Sequence, residues 1–430
     1  MRDREEFMKN LIRSERIDLF EPNIYIEFLV QITGNPEVED VVEAVNAAYA
    51  ANEVTMSRVV LTEDGAAFYE KMDVSGCLIL VTENDWETVI LENEKIPFQL
   101  NRGELVRVFI CLADADMKLL IMAHHLAGDG KSVTYLLEDI MMALSGETLT
   151  YRKMQLITEQ TFPREAKLPR YFKWYAKAFN WNWRRSGRCF SWEDYEALHA
   201  SYWREYSSRI LYESFSAKEV MELKARAKKA GVSVNSYIAT AFLRANKEHH
   251  CIGMAVDARG DGNRSMSNQA TGISADYTYL ERQAFAENTR RLQRKIYQKL
   301  ERPVMKYFVL QFMALFDPTL IDSILLETYR LYENKTTRKL ARVLGYQGKK
   351  TRELGITNLT KLDIPCTYGR YGITGALFVP PVVSYAKHII GVVTMEDGMS
   401  ISYHYMSCEN DAEARTFFEK AIGYIKEKNI

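Results

Sequence analysis

Apolar residues recur along this chain with two spacings, and the changes between them mark its elements. Residues 23–34 (NIYIEFLVQITG) are rich in β-branched and aromatic side chains and predict a strand. Residues 36–52 place Val38, Val41, Val42, Val45 and Tyr49 at helical spacing, with acids in the first turn. Short strands are expected at 58–62 and 77–82. Two further apolar runs, 105–112 and 117–123, flank the turn Ala113-Asp114-Ala115-Asp116 and predict a hairpin of two largely buried strands. The helix after it has the strongest pattern. Val133, Leu136, Leu137, Ile140, Met141 and Leu144 share one apolar face, and Gly146 follows as a C-terminal cap.

Residues 150–205 break this rhythm and predict an irregular connection with helical pieces. Within it, 170–188 (RYFKWYAKAFNWNWRRSGR) holds six basic residues, seven aromatics and no acid, and 191–198 then turns acidic. A second α/β half follows. Residues 210–215 are strand-like, Ser216 caps a helix carrying Val220, Leu223 and Ala227 that ends at Gly231, and 234–249 is another helix. A buried strand is expected at 252–256 and helices from 282 to 344. Residues 387–395 and 399–405 form a hairpin around Glu396-Asp397-Gly398, and 410–428 closes the chain as a helix. The expected class is mixed α/β (α+β) in two domains, 1–195 and 205–430, each a sheet covered by helices. Length agrees, because 430 residues exceed what one hydrophobic core holds.

Composition narrows the function classes. Hydrophobic residues at 47% and charged residues at 26% make an ordinary globular mixture, which excludes disordered and fibrous chains. Lys+Arg of 56 against Asp+Glu of 57 gives a net charge of −1, so no nucleic-acid partner is expected. Charges interrupt the N-terminus too often for a signal peptide, and no apolar run approaches the ~20 residues of a membrane span. The cysteines, Cys77, Cys111, Cys189, Cys251, Cys366 and Cys408, are scattered, with no CxxC and no zinc spacing. Reduced thiols in a cytoplasmic protein are the expectation, with no metal site.

The chemistry concentrates at residues 117–130 (MKLLIMAHHLAGDG), where two histidines leave the end of a buried strand. Strand side chains alternate faces, so His124 and His125 should point opposite ways, one into a cavity and one into the core. Asp129 stands where a carboxylate caps a helix, and Gly130 permits a tight turn or a close approach. A buried histidine is more often a satisfied core group than a catalyst. A metal held by His125 and Asp129 lacks a third ligand at useful spacing.

This stretch matches HHxxxDG as His124-His125-Leu126-Ala127-Gly128-Asp129-Gly130. It resembles the superfamily of chloramphenicol acetyltransferase, nonribosomal condensation domains, polyketide-associated acyltransferases, alcohol acetyltransferases and plant BAHD acyltransferases. Pro97-Phe98-Gln99-Leu100 and Glu104-Leu105-Val106-Arg107 resemble the family's preceding "F-x-L … PLxR" segment. Ser132, Leu136-Leu137 and Ser145-Gly146 resemble its "DGxS…LL…G" helix. In the second half, Ala255-Val256-Asp257-Ala258-Arg259 resembles the strand whose arginine meets the motif aspartate. Thr357-Asn358-Leu359 resembles a late "S/T-N-x-G" strand, with Thr360 in place of the usual glycine. The plant DFGWG motif is absent.

The resemblance implies two chloramphenicol-acetyltransferase-like lobes in a V, with a tunnel between them that admits a thioester donor from one side and an acceptor from the other. It implies a free-standing acyltransferase that moves an acyl group to an alcohol or amine, with His125 as general base. His124 and Gly130 belong to the same site, and Asp129, paired with Arg259, holds the loop that aims His125. No cofactor would be permanently bound; acyl-CoA or a phosphopantetheinyl thioester would be co-substrate, the latter on an acyl or peptidyl carrier protein. The oxyanion would be stabilised by backbone N–H groups near Gly130 or by a side chain of the second lobe. Two other readings stay open: a non-catalytic, condensation-like domain that recruits a partner, and thioester hydrolysis. Residues 170–188 keep three readings: a connecting helix packed on the lobes, a lid or membrane-surface patch, and a phosphate contact for the donor.

Overall fold

Two six-stranded mixed sheets carry the chain, each covered by helices. The computed structural model describes residues 10–113, 116–158, 161–246, 248–348, 354–407 and 411–427. The Asp114-Ala115 part of the expected hairpin turn, Cys408 and both chain ends lie outside these residues. The first sheet runs Thr367–Tyr368, Tyr371–Val379, Tyr25–Thr33, Lys118–His124, Val106–Cys111, Leu78–Thr82. All its pairs are antiparallel except the last. The second runs Ser208–Ser216, Gly398–Met406, His388–Thr394, Leu354–Lys361, Cys251–Asp257, Ala270–Asp276, with parallel pairing on both sides of Leu354–Lys361. A small hairpin, Ser57–Leu61 with Ala67–Lys71, stands beside the first sheet.

The helix Gly130–Leu144 forms for the reason its pattern gives. Val133, Leu136, Leu137, Ile140 and Met141 are fully buried in the first core. Each such side chain contributes about 1.5–3 kcal/mol by leaving water. Ala217–Ala230 starts in a capping box, Ser216 with Glu219, and stops at Gly231 in the left-handed conformation. A second core of buried residues lies under the second sheet.

Sheet membership departs from the expected 1–195 and 205–430 division late in the chain. Tyr371–Val379 belongs to the first sheet, antiparallel to Tyr25–Thr33. Without it, Tyr25–Thr33 would present an unpaired backbone edge beside the core. The ion pair Arg16–Asp322, 1% exposed on both sides, also carries the second half of the chain into the first core. The two halves therefore interlock. Among the described residues, no helix is long and apolar enough to cross a membrane.

Candidate active site

His124 ends the strand Lys118–His124, opposite Tyr25 in register. Its side chain is fully buried, whereas that of the next residue, His125, is 17% exposed. The strand ends at His124, so His125 stands in the following turn, and the two rings differ in burial as expected. His124 Nδ1 accepts the Leu126 N–H at 3.1 Å, which puts the proton of the neutral ring on Nε2. Burial pushes its pKa well below the usual range, and His199, His125 and Arg107 push the same way. His124 is neutral and packs on Phe98 and Tyr25, each 5.9 Å between ring centres.

The residues resembling the segment before the motif build the floor under His124. Arg107 lies 4.0 Å over the Phe98 ring, holds Glu104 at 2.5 Å and donates to the carbonyls of Asn93, Ile96 and Pro97. A planar guanidinium with several donors suits this task, and its charge is paired where it is buried.

Beyond His125 the chain turns through Gly128, whose φ is +155°. A Cβ there would sit 2.4 Å from the Ser132 Cβ. At Gly130 a Cβ would meet the Leu359 side chain at 2.5 Å, so this glycine admits the strand Leu354–Lys361 of the second sheet. Asp129 caps Gly130–Leu144 by accepting the Ser132 N–H at 2.9 Å. The second half of the chain supplies its other partners. Arg259 Nη2 reaches both carboxylate oxygens, at 2.8 and 3.0 Å, and the Gln269 N–H reaches Oδ2 at 2.9 Å. Arg259 also donates to Ser132 Oγ and to the Ser265 carbonyl. One guanidinium nitrogen spans the carboxylate, in place of the two-pronged fork its geometry allows.

Sequence reasoning missed Asp18. It lies on the single helical turn Arg16–Leu19, where no periodicity marks it. Its Oδ2 stands 3.9 Å from His125 Nδ1, an enclosed nitrogen without a hydrogen-bond partner, and accepts from Asn268 Nδ2 at 3.1 Å. Burial raises the Asp18 pKa, and His125 and Asn268 oppose that rise. Glu15 lies in the same segment, pushed up to about 8 by burial and by Asp18. The Tyr69 hydroxyl lies 2.9 Å from Glu15 and 2.8 Å from the Leu126 carbonyl. Segment 265–269 was also missed; its polar run (SMSNQ) was the available signal.

Surface cavities near Arg370, of about 550 and 280 Å³, include neither His125 nor its neighbours. Arg170–Ser186 forms one helix. Ala176, Phe179 and Trp183 are buried, and Tyr171, Trp174 and Trp181 face solvent, with Arg185 stacked 3.6 Å over Trp181.

Known structures share this architecture. The trichothecene 15-O-acetyltransferase TRI3 from Fusarium sporotrichioides is 12% identical with a TM-score of 0.65, covering 97% of this chain and 94% of its own. Polyketide synthase associated protein 5 from Mycobacterium tuberculosis is 13% identical with a TM-score of 0.61, covering 98% of both chains. The condensation domain of the Monacolin K polyketide synthase MokA is 11% identical with a TM-score of 0.61, covering 95% and 92%. No family model and no curated protein sequence matches. The fold is the two-lobed, chloramphenicol-acetyltransferase-like fold of condensation domains and acyltransferases.

Proposed function

We propose that this protein is an acyltransferase that moves an acyl group from a thioester, on coenzyme A or a carrier protein, to an alcohol or amine. The observation that carries the reading is the contrast at the motif. Asp129 is tied down by Arg259, Ser132 and Gln269, while the adjacent turn leaves His125 partly open, with only Nδ1 enclosed beside Asp18. In this mechanism Asp18 favours the tautomer with the proton on Nδ1, so that Nε2 is the base. His125 accepts the proton of the acceptor O–H or N–H as that atom bonds to the thioester carbonyl carbon. The tetrahedral adduct then expels the thiolate, which takes the proton back from His125. No acyl-enzyme is needed, because the thioester is already activated. A positioned base supplies about 10²–10⁴ in rate, or roughly 3–5 kcal/mol. Asp18 is a positioning residue in this scheme; Asp18→Asn should lower kcat with KM for the donor little changed.

The exposed Tyr171, Trp174 and Trp181, set among Lys173, Lys177, Arg184 and Arg185, favour a membrane-surface contact for that helix, suited to an apolar acceptor or donor. The test of the function is incubation with acyl-CoA thioesters and a panel of alcohols and amines, read by mass spectrometry. Ester or amide product supports transfer. Free acid alone means hydrolysis, and unchanged thioester with retained partner binding means a recruiting domain.

A further inference from the structure

Three ionisable side chains meet at a point with no exposure to water. Glu27 comes from the strand Tyr25–Thr33, Glu94 follows the helix Trp86–Asn93, and His404 comes from the strand Gly398–Met406 of the second sheet. All three are 0% exposed, and one ligand atom from each lies within 4.8 Å of the others. His404 Nδ1 is 2.8 Å from the Pro380 carbonyl, which can only accept, so the proton of the neutral ring is on Nδ1. Its Nε2 faces Glu94 Oε1 at 3.2 Å, an ion pair when the ring carries a second proton and a pair of ligand atoms when it does not. Ser208 donates to the other Glu94 oxygen. Neither oxygen of Glu27 has a hydrogen-bond partner.

Three electron-pair donors thus face one another in the interior. Left alone, two buried carboxylates are costly, so either one of them holds a proton, as the upward push of burial and Glu94 on the Glu27 pKa allows, or something positive lies between them. A protonated Glu27 is the simpler answer electrostatically, but its O–H would then be buried without an acceptor. A divalent cation fits better. Two carboxylates and a neutral imidazole balance a charge of +2. Bonds of about 2.0–2.2 Å at tetrahedral angles set ligand atoms roughly 3.4 Å apart, close to the His404–Glu94 separation. The outer contacts have the form metal ligands need: the far nitrogen of the histidine held by a carbonyl, and one carboxylate oxygen held by a hydroxyl. We propose that Glu27, Glu94 and His404 bind a divalent transition-metal ion of the zinc type, against the sequence expectation of no metal. Its role is structural: it would join a strand of the first sheet, a helix end and a strand of the second sheet.

The test uses full-length protein purified with a histidine-free tag, elemental analysis after gel filtration, and thermal unfolding before and after chelation and zinc return. About one equivalent of metal is expected. Chelation should lower Tm and zinc should restore it by about 3 °C or more. Glu27→Gln, which keeps shape and volume, should lose the metal and the zinc response; His404→Gln should do the same if it folds. Cobalt(II) in the wild-type protein should give d–d absorption, a readout that needs no variant. Metal below a tenth of an equivalent, with no zinc or cobalt response, would overturn the proposal. So would full metal content retained in Glu27→Gln.

Discussion

Removing Arg259 tests how the motif turn is held. Asp129 is 8% exposed and Arg259 4% exposed, so the pair is screened little by water. Arg259→Ala deletes the cation and leaves the carboxylate with the Ser132 and Gln269 N–H groups. Breaking a buried pair costs about 3–5 kcal/mol, and two surviving amide donors place this case near 3. Asp129→Ala removes a helix cap, about 1 kcal/mol. It also strands the Gln269 N–H and leaves Arg259 its contacts with Ser265 and Ser132, adding roughly 2–3 kcal/mol. The double variant has no unpaired charge, so its loss should fall about 2 kcal/mol short of the sum. Asp129→Asn keeps the cap and separates that part from the charge. The assay is urea unfolding at pH 7, followed by circular dichroism and tryptophan fluorescence together; coincident curves are needed for a two-lobed chain. Losses that add within about 0.5 kcal/mol would refute the coupling.

Thr360 sits at φ +63°, where the resembling motif has glycine, so Thr360→Gly should raise stability by up to about 1 kcal/mol in the same urea assay; a loss would mean that its side chain matters more than its backbone. Glu15 and Glu21 are raised from 4.5 to about 8, chiefly by burial. Their folded pKa values exceed the unfolded ones, so the stability they add is full below about 4.5 and is lost as pH rises through about 8. Thermal unfolding from pH 5 to 9 should show this decline, and Glu15→Gln should flatten it; an unchanged slope would contradict the assignment. Trp174→Ala with Trp181→Ala should weaken binding to phosphatidylserine-containing vesicles about tenfold in a flotation assay, and equal binding by the variant would exclude this face.

The local elements were legible because short-range pattern decides them. Val133 to Leu144 at helical spacing and the Ser216 cap of Ala217–Ala230 needed only neighbours in sequence. Tyr371–Val379 was missed because Gly375, at φ +60°, interrupts its alternation, and because its partner Tyr25–Thr33 is remote in the chain. The motif histidines and Asp129 were visible as residue types at a strand–helix junction. The Asp129–Arg259 contact came through the family resemblance, since nothing local to Arg259 points across the molecule. Asp18 carried no signal; only folding brings a one-turn helix to His125. Glu27 did carry one, as a lone acid in the apolar run YIEFLV, but a single acid names neither of its partners.

The proposed acyl transfer turns on His125 acting as its base. Its most direct test is the single-turnover rate of transfer from the preferred thioester, compared between wild type and His125→Ala at saturating donor and acceptor. The expected loss is about 10²–10⁴ in rate, with thioester binding and the unfolding midpoint nearly unchanged. Transfer by His125→Ala at the wild-type rate would contradict it.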